Sequence, residues 1–122
     1  MIKRILIVDD DPNILFLLTQ YLAQLGPDYQ VEACSSGSEA LALSRVRLFD
    51  LVISDYNMAG LNVLQLAQTL RERQPELKFI LMSGHDEALL IQKVAELGLS
   101  GFIAKPFTMA SFYAAVRSAL ES

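Results

Sequence analysis

Ile5-Leu6-Ile7-Val8-Asp9-Asp10-Asp11-Pro12 is the stretch on which the reading of this chain turns. Four apolar residues in a row, three of them β-branched, suit a strand covered on both faces, the pattern of a parallel sheet. Pro12 suits the first turn of a helix, where its missing N–H would be unpaired anyway, and Asp11 suits the cap before it. One octapeptide therefore reads as strand, acidic rim and helix start.

Working outward, three further runs share the apolar character: Leu51-Val52-Ile53, Phe79-Ile80-Leu81-Met82 and Phe102-Ile103-Ala104. Gln30-Val31-Glu32-Ala33-Cys34 alternates polar and apolar residues and suits a less covered edge strand. Between the strands lie helical patterns. Ile14, Leu18, Tyr21, Leu22 and Leu25 fall on one face, a core stripe that Gly26-Pro27-Asp28 brings to an end. Ser36 and Glu39 are spaced as a capping box, Leu64 to Leu70 carries a third pattern, and Ala88 to Leu97 a fourth ending at Gly98. Asp86 is placed to cap that fourth helix. Thr108 opens the fifth, with Phe107 and Phe112 placed as a hydrophobic staple. Strand and helix alternate five times in a single domain over residues 1–122, which implies an α/β fold: a parallel sheet with helices on both faces and right-handed crossovers.

Composition narrows the function. The chain has 122 residues, 52% of them hydrophobic, enough for one full-sized core. Its 10 Lys+Arg against 14 Asp+Glu give a formal net charge of −4, with no basic stripe for nucleic acid or an anionic membrane surface. The lone Cys34 cannot close an intramolecular disulfide and reads as a small, inert edge-strand residue. No apolar run approaches the ~20 residues of a membrane span, and no signal-peptide pattern opens the chain, so a cytoplasmic location is expected.

In open parallel sheets ligands bind beyond the carboxyl ends of the strands. The residues that follow the apolar runs are Asp9-Asp10-Asp11, Ser54-Asp55, Ser83-Gly84 and Lys105-Pro106. Four strands thus deliver carboxylates, a hydroxyl and an ammonium to one rim. Carboxylates from neighbouring strands repel and call for a counter-charge, which a hard divalent cation such as Mg²⁺ supplies while leaving positions for phosphate oxygens. Lys105 has no lone pair for a metal, but it can pair with a carboxylate or a phosphoryl oxygen. Ser83 can donate to another phosphoryl oxygen, and Gly84 leaves room beside it. Asp11 fits better as the helix cap than as a ligand.

These residues, in this order and spacing, resemble the receiver domain of two-component response regulators over essentially the whole chain. The motifs are Ile5 to Pro12, Leu51-Val52-Ile53-Ser54-Asp55-Tyr56-Asn57-Met58, Ser83-Gly84 and Lys105-Pro106-Phe107. The resemblance implies a flavodoxin-like (βα)5 three-layer sandwich, a parallel five-stranded sheet of order 2-1-3-4-5. It also implies that Asp55 accepts a phosphoryl group from a phosphohistidine on a histidine kinase or phosphotransfer protein. Asp9, Asp10, Asp55 and the backbone carbonyl of Asn57 would hold Mg²⁺; Ser83 and Lys105 would hold the phosphoryl oxygens. Ser83 and the aromatic Phe102 would act as the switch, reshaping the face of helix four, strand five and helix five. Asn57 and His85 occupy positions that tune hydrolysis of the acyl phosphate in the family. The chain would catalyse only its own phosphorylation and dephosphorylation. Its signal would pass to a separate protein, an attached output domain or, through helices four and five, a phosphorylation-dependent homodimer.

The chain departs from the usual pattern after Met58, where the family commonly has Pro and then Asp-Gly. Here Ala59-Gly60-Leu61-Asn62-Val63 follows. Altered loop dynamics are expected, because Ala59 does not fix φ and Val63 tolerates φ > 0 poorly. Ser83 stands where Thr is commoner. Three other functions compete: a flavodoxin-type electron carrier, which Asp9-Asp10-Asp11 disfavours by repelling a flavin phosphate; a phosphatase with an aspartate nucleophile, which lacks an obvious cap segment; and a receiver-like docking module that is never phosphorylated.

Overall fold

The computed structural model describes residues 2–58, 62–85 and 87–121. Five strands, β1 (Lys3–Val8), β2 (Tyr29–Cys34), β3 (Leu51–Asp55), β4 (Lys78–Ser83) and β5 (Gly101–Ala104), alternate with five helices, α1 (Pro12–Ala23), α2 (Gly37–Val46), α3 (Val63–Arg73), α4 (Glu87–Leu97) and α5 (Met109–Glu121). All neighbouring strands pair in parallel, in the order β2-β1-β3-β4-β5. The alternation read from the sequence and the order implied by the resemblance are both met.

The apolar runs are buried on both faces because side chains alternate across the sheet. Leu6, Val8, Val52, Phe79 and Leu81 pack against α2 and α3, with Val94 of α4 and Phe102 beside them. Ile5, Ile7, Ile53, Ile80 and Met82 pack against Leu18 and Leu22 of α1 and Phe112 and Val116 of α5. β2 lies at one edge and β5, four residues long, at the other. Exposed Gln30 and the Glu32–Arg47 ion pair at 3.0 Å mark the β2 edge.

Helix boundaries follow local chemistry. Asp11 Oδ1 accepts from the Asn13 N–H at 2.9 Å with Pro12 opening α1, and Gly26 turns the chain away at φ 119. Ser36 caps α2 through the Glu39 N–H, but the Glu39 carboxylate takes the Ser35 and Ser36 hydroxyls in place of the reciprocal backbone bond. Gly98 closes α4 at φ 65, with the Leu99 N–H on the Val94 carbonyl and the Gly98 N–H on that of Ala95. At α5, Thr108 and Ser111 cap each other: each hydroxyl accepts from the other's backbone N–H, at 3.0 and 3.1 Å. Phe107 and Phe112 do form the staple, ring centroids 5.8 Å apart.

The expectation for the loop after β3 falls largely outside the described residues. Ala59, Gly60 and Leu61 lie outside them, as does Asp86 before α4. Val63, however, is the first residue of α3, nearly fully buried, and no positive φ is asked of it. Asn62 does the work that the family's loop pattern obscured: its side-chain oxygen accepts from the N–H groups of Leu64 and Gln65, at 3.1 and 3.2 Å.

Candidate functional site

β1 and β3 are neighbours, with Val8 opposite Ser54, so the residues that end them meet at one rim. Asp9, Asp10 and Asp55 each offer a carboxylate oxygen there, and these oxygens lie within 4.8 Å of one another. Asp9 and Asp55 are buried and Asp10 is exposed, which leaves one side of the cluster open to water. β5 brings the counter-charge: Lys105 Nζ is 3.1 Å from Asp9 Oδ2 and 3.1 Å from Asp55 Oδ1. Asp9 Oδ1 accepts from the Asp11 N–H at 2.9 Å, which fixes its orientation.

The electrostatics follow from burial and charge. Desolvation lifts the Asp9 carboxyl above its ordinary pKa, assisted by the field of Asp55 and opposed by the Asp11 N–H and Lys105. Burial works against the Lys105 ammonium too, yet the hydrogen bonds and charges of Asp55 and Asp9 outweigh it, and its pKa lies above the usual value. The two buried carboxylates thus share one ammonium, while exposed Asp10 stands beside them without it. An all-oxygen set of this kind, buried on one side and open on the other, fits a hard divalent ion that keeps part of its water shell.

Ser83 ends β4, is 1% exposed, and has a fully used hydroxyl. It accepts from Asn57 Nδ2 at 2.9 Å and from the His85 N–H at 3.1 Å, and donates to the His85 carbonyl at 3.0 Å. The sequence reading placed Ser83, Asn57 and His85 at one site but did not foresee that they bond to one another, since the contacts need β3 and β4 side by side. His85 itself is exposed. Phe102, in β5, is half-buried against the α3 side of the core, adjacent to Leu81 of β4. Gly84 lies beside the Lys105 backbone carbonyl; a Cβ there would meet it at 3.6 Å. Cys34 is buried, its thiol pushed up to about 11 chiefly by desolvation, consistent with an inert residue.

Behind the rim, Tyr21, Phe107, Phe112 and Tyr113 form an aromatic cluster that ties α1 to α5 and to the segment after Lys105. The Tyr113 hydroxyl donates to the Tyr21 carbonyl. Sequence patterning marked Phe107 and Phe112 but missed this tyrosine pair. No described helix is long and apolar enough to cross a membrane.

Residues 5–117 match the family model for the response regulator receiver domain. The probable chemotaxis protein CheY of Rhizobium etli is 32% identical over 117 residues, which cover 94% of this chain and 90% of that protein. The transcriptional activator protein ExaE of Pseudomonas putida is 34% identical over 116 residues, 95% of this chain but only 54% of the relative, so the chain spans about half of that protein. Among solved structures, the non-phosphorylated HemR receiver domain of Leptospira biflexa superposes with a TM-score of 0.88 at 31% identity, covering 98% of this chain and 95% of that one.

Proposed function

Because the chain belongs to the response regulator receiver domain family, we propose that it is a single phosphoacceptor module in which Asp55 takes a phosphoryl group from a phosphohistidine on a histidine kinase or phosphotransfer protein. The observation that carries the reading is the convergence of Asp9, Asp10 and Asp55 from two strands with Lys105 from a third. An isolated buried carboxylate pair would be costly; one that shares an ammonium and opens to water can receive a charged group in its place.

An Asp55 carboxylate oxygen attacks phosphorus as the P–N bond to the donor imidazole breaks, giving an acyl phosphate on Asp55 and a neutral histidine after protonation. Lys105 is placed to follow the charge from the carboxylate to the phosphoryl oxygens, and Ser83 supplies a hydroxyl donor beside them once its present bonds are exchanged. Asp9, Asp10, Asp55 and the Asn57 backbone carbonyl would hold Mg²⁺, which supplies charge neutralisation for the transferring group. Water later attacks the acyl phosphate and regenerates Asp55, with Asn57 and His85 positioned to influence its approach; no separate substrate is turned over. Ser83 and Phe102 then transmit occupancy to the α4, β5 and α5 face, where a separate target, an attached output domain or a second copy would read it. A cytoplasmic setting follows from this partnership with a kinase's phosphohistidine.

Incubation with Mg²⁺ and a small acyl-phosphate donor, followed by intact-mass measurement, tests the acceptor. Wild type gains one phosphoryl group, and Asp55→Asn or added chelator abolishes the gain. Equal labelling of Asp55→Asn would overturn the assignment.

A further inference from the structure

The Ser83 hydroxyl has one hydrogen to give and two lone pairs to fill, and all three are committed: the hydrogen to the His85 carbonyl, the lone pairs to the Asn57 amide and the His85 N–H. The Lys105 N–H is on the Ser83 backbone carbonyl, but among the described residues no hydrogen bond joins the Ser83 hydroxyl to Asp55 or Lys105. The hydroxyl can serve a group on Asp55 only by leaving these partners. Two of the three bonds come from one residue's backbone and close a tight local loop; the third, from Asn57, spans from the end of β3 and is the only one made by a side chain.

From this geometry we infer that the Asn57 amide is a positioning device that holds the Ser83 hydroxyl on His85, so that Asn57 sets how readily Ser83 is released when Asp55 is occupied. This rests on the reading of Asp55 as the phosphoacceptor. It gives Asn57 two separable parts, a backbone carbonyl that would ligate Mg²⁺ and a side-chain amide that donates to Ser83. Replacement by alanine removes the second and keeps the first. Asn57 is exposed, so Asn57→Ala leaves no cavity in the core. Loss of one neutral hydrogen bond of ordinary net strength shifts the equilibrium between held and released Ser83 by about 2- to 12-fold toward release.

The His85 amide, bonded to Ser83 Oγ, is the reporter. Its NMR resonance is followed in wild type, Asn57→Ala, Ser83→Ala and the double variant, each before and after Mg²⁺ and phosphoramidate, with intact mass recorded in parallel. Phosphorylation of wild type should displace the His85 amide. Unphosphorylated Asn57→Ala should already sit part of the way along that displacement, and in the Ser83→Ala background the Asn57 substitution should move it no further. An Asn57→Ala chain with the His85 amide at its wild-type position, or a shift equally large without the Ser83 hydroxyl, would overturn the inference. The two readings fail separately. A wild type that gains no phosphoryl group, while Asn57→Ala moves His85 only when Ser83 is present, removes Asp55 as acceptor and keeps the hold. Normal phosphorylation with a His85 amide indifferent to Asn57 does the reverse.

Discussion

Lys105 and Asp9, 96 residues apart in the chain, meet with Nζ 3.1 Å from Oδ2, and the same ammonium bonds Asp55. Without it the two buried carboxylates would face each other with no cation. Lys105→Met is therefore expected to lower metal-free stability by about 2 kcal/mol, below the ~3–5 of a fully buried pair because the lysine side chain is 23% exposed. Mg²⁺ should restore more stability to this variant than to wild type, since the cation takes over the missing charge. Thermal melts with and without Mg²⁺ check this, and equal increments in the two proteins would refute it.

The same contact gives the pH dependence its sign. The Lys105 pKa is raised in the fold, so its contribution to stability is complete below the ordinary value of 10.5 and is lost as pH rises through the higher native value. Asp9 is an acid whose pKa is also raised, mainly by burial, so charging it opposes folding and acidification relieves that cost. Chemical denaturation from about pH 9 to about pH 12 should show a larger alkaline loss in wild type than in Lys105→Met, the part due to the Cys34 thiol, pushed up to about 11, being common to both.

Asp10 is the exposed member of the carboxylate cluster and has the least structural work to do. Asp10→Asn should leave the melting temperature in chelator close to wild type while weakening Mg²⁺ by at least about fivefold, the factor one unit charge is worth at ~4 Å even with water-like screening. Calorimetric titration decides; unchanged affinity would remove Asp10 from the metal site.

Phe112 is fully buried and touches Tyr21, Phe107 and Tyr113. Phe112→Ala should destabilise by about 3–5 kcal/mol. Asn62→Ala, which removes only the α3 cap, should lose about 1 kcal/mol. Urea midpoints of the two variants give the comparison directly.

Much of this molecule was legible in its sequence because its signals are local. Two-sided burial wrote β1, β3 and β4 as unbroken apolar runs, and Asp11-Pro12, Gly98 and Phe107 with Phe112 marked helix ends by chemistry confined to one turn. The rim residues were legible because each directly ends a strand. What escaped depended on partners far along the chain or on side chains with several uses. Thr108 carries the cap signal while Ser111, which accepts from the Thr108 N–H in return, carries none, Asn62 looked like a departure in a loop, and the bond from Asn57 to Ser83 spans 26 residues. Glu39 kept its spacing but chose hydroxyls over the backbone, because Ser35 stands next to Ser36.

The two margins of the sheet also bear on how this protein survives crowding. A strand end with unpaired backbone groups is a template on which another copy could add, and continued addition would build fibres. β5 offers four residues, too short a template, while β2 presents Gln30 and a Glu32 tethered to Arg47, so an incoming strand would have to strip water from charged groups. Replacing Glu32 and Arg47 with valine would lengthen the apolar margin. Slow self-association at high concentration would be the cost of that change, even with the carboxylate rim untouched.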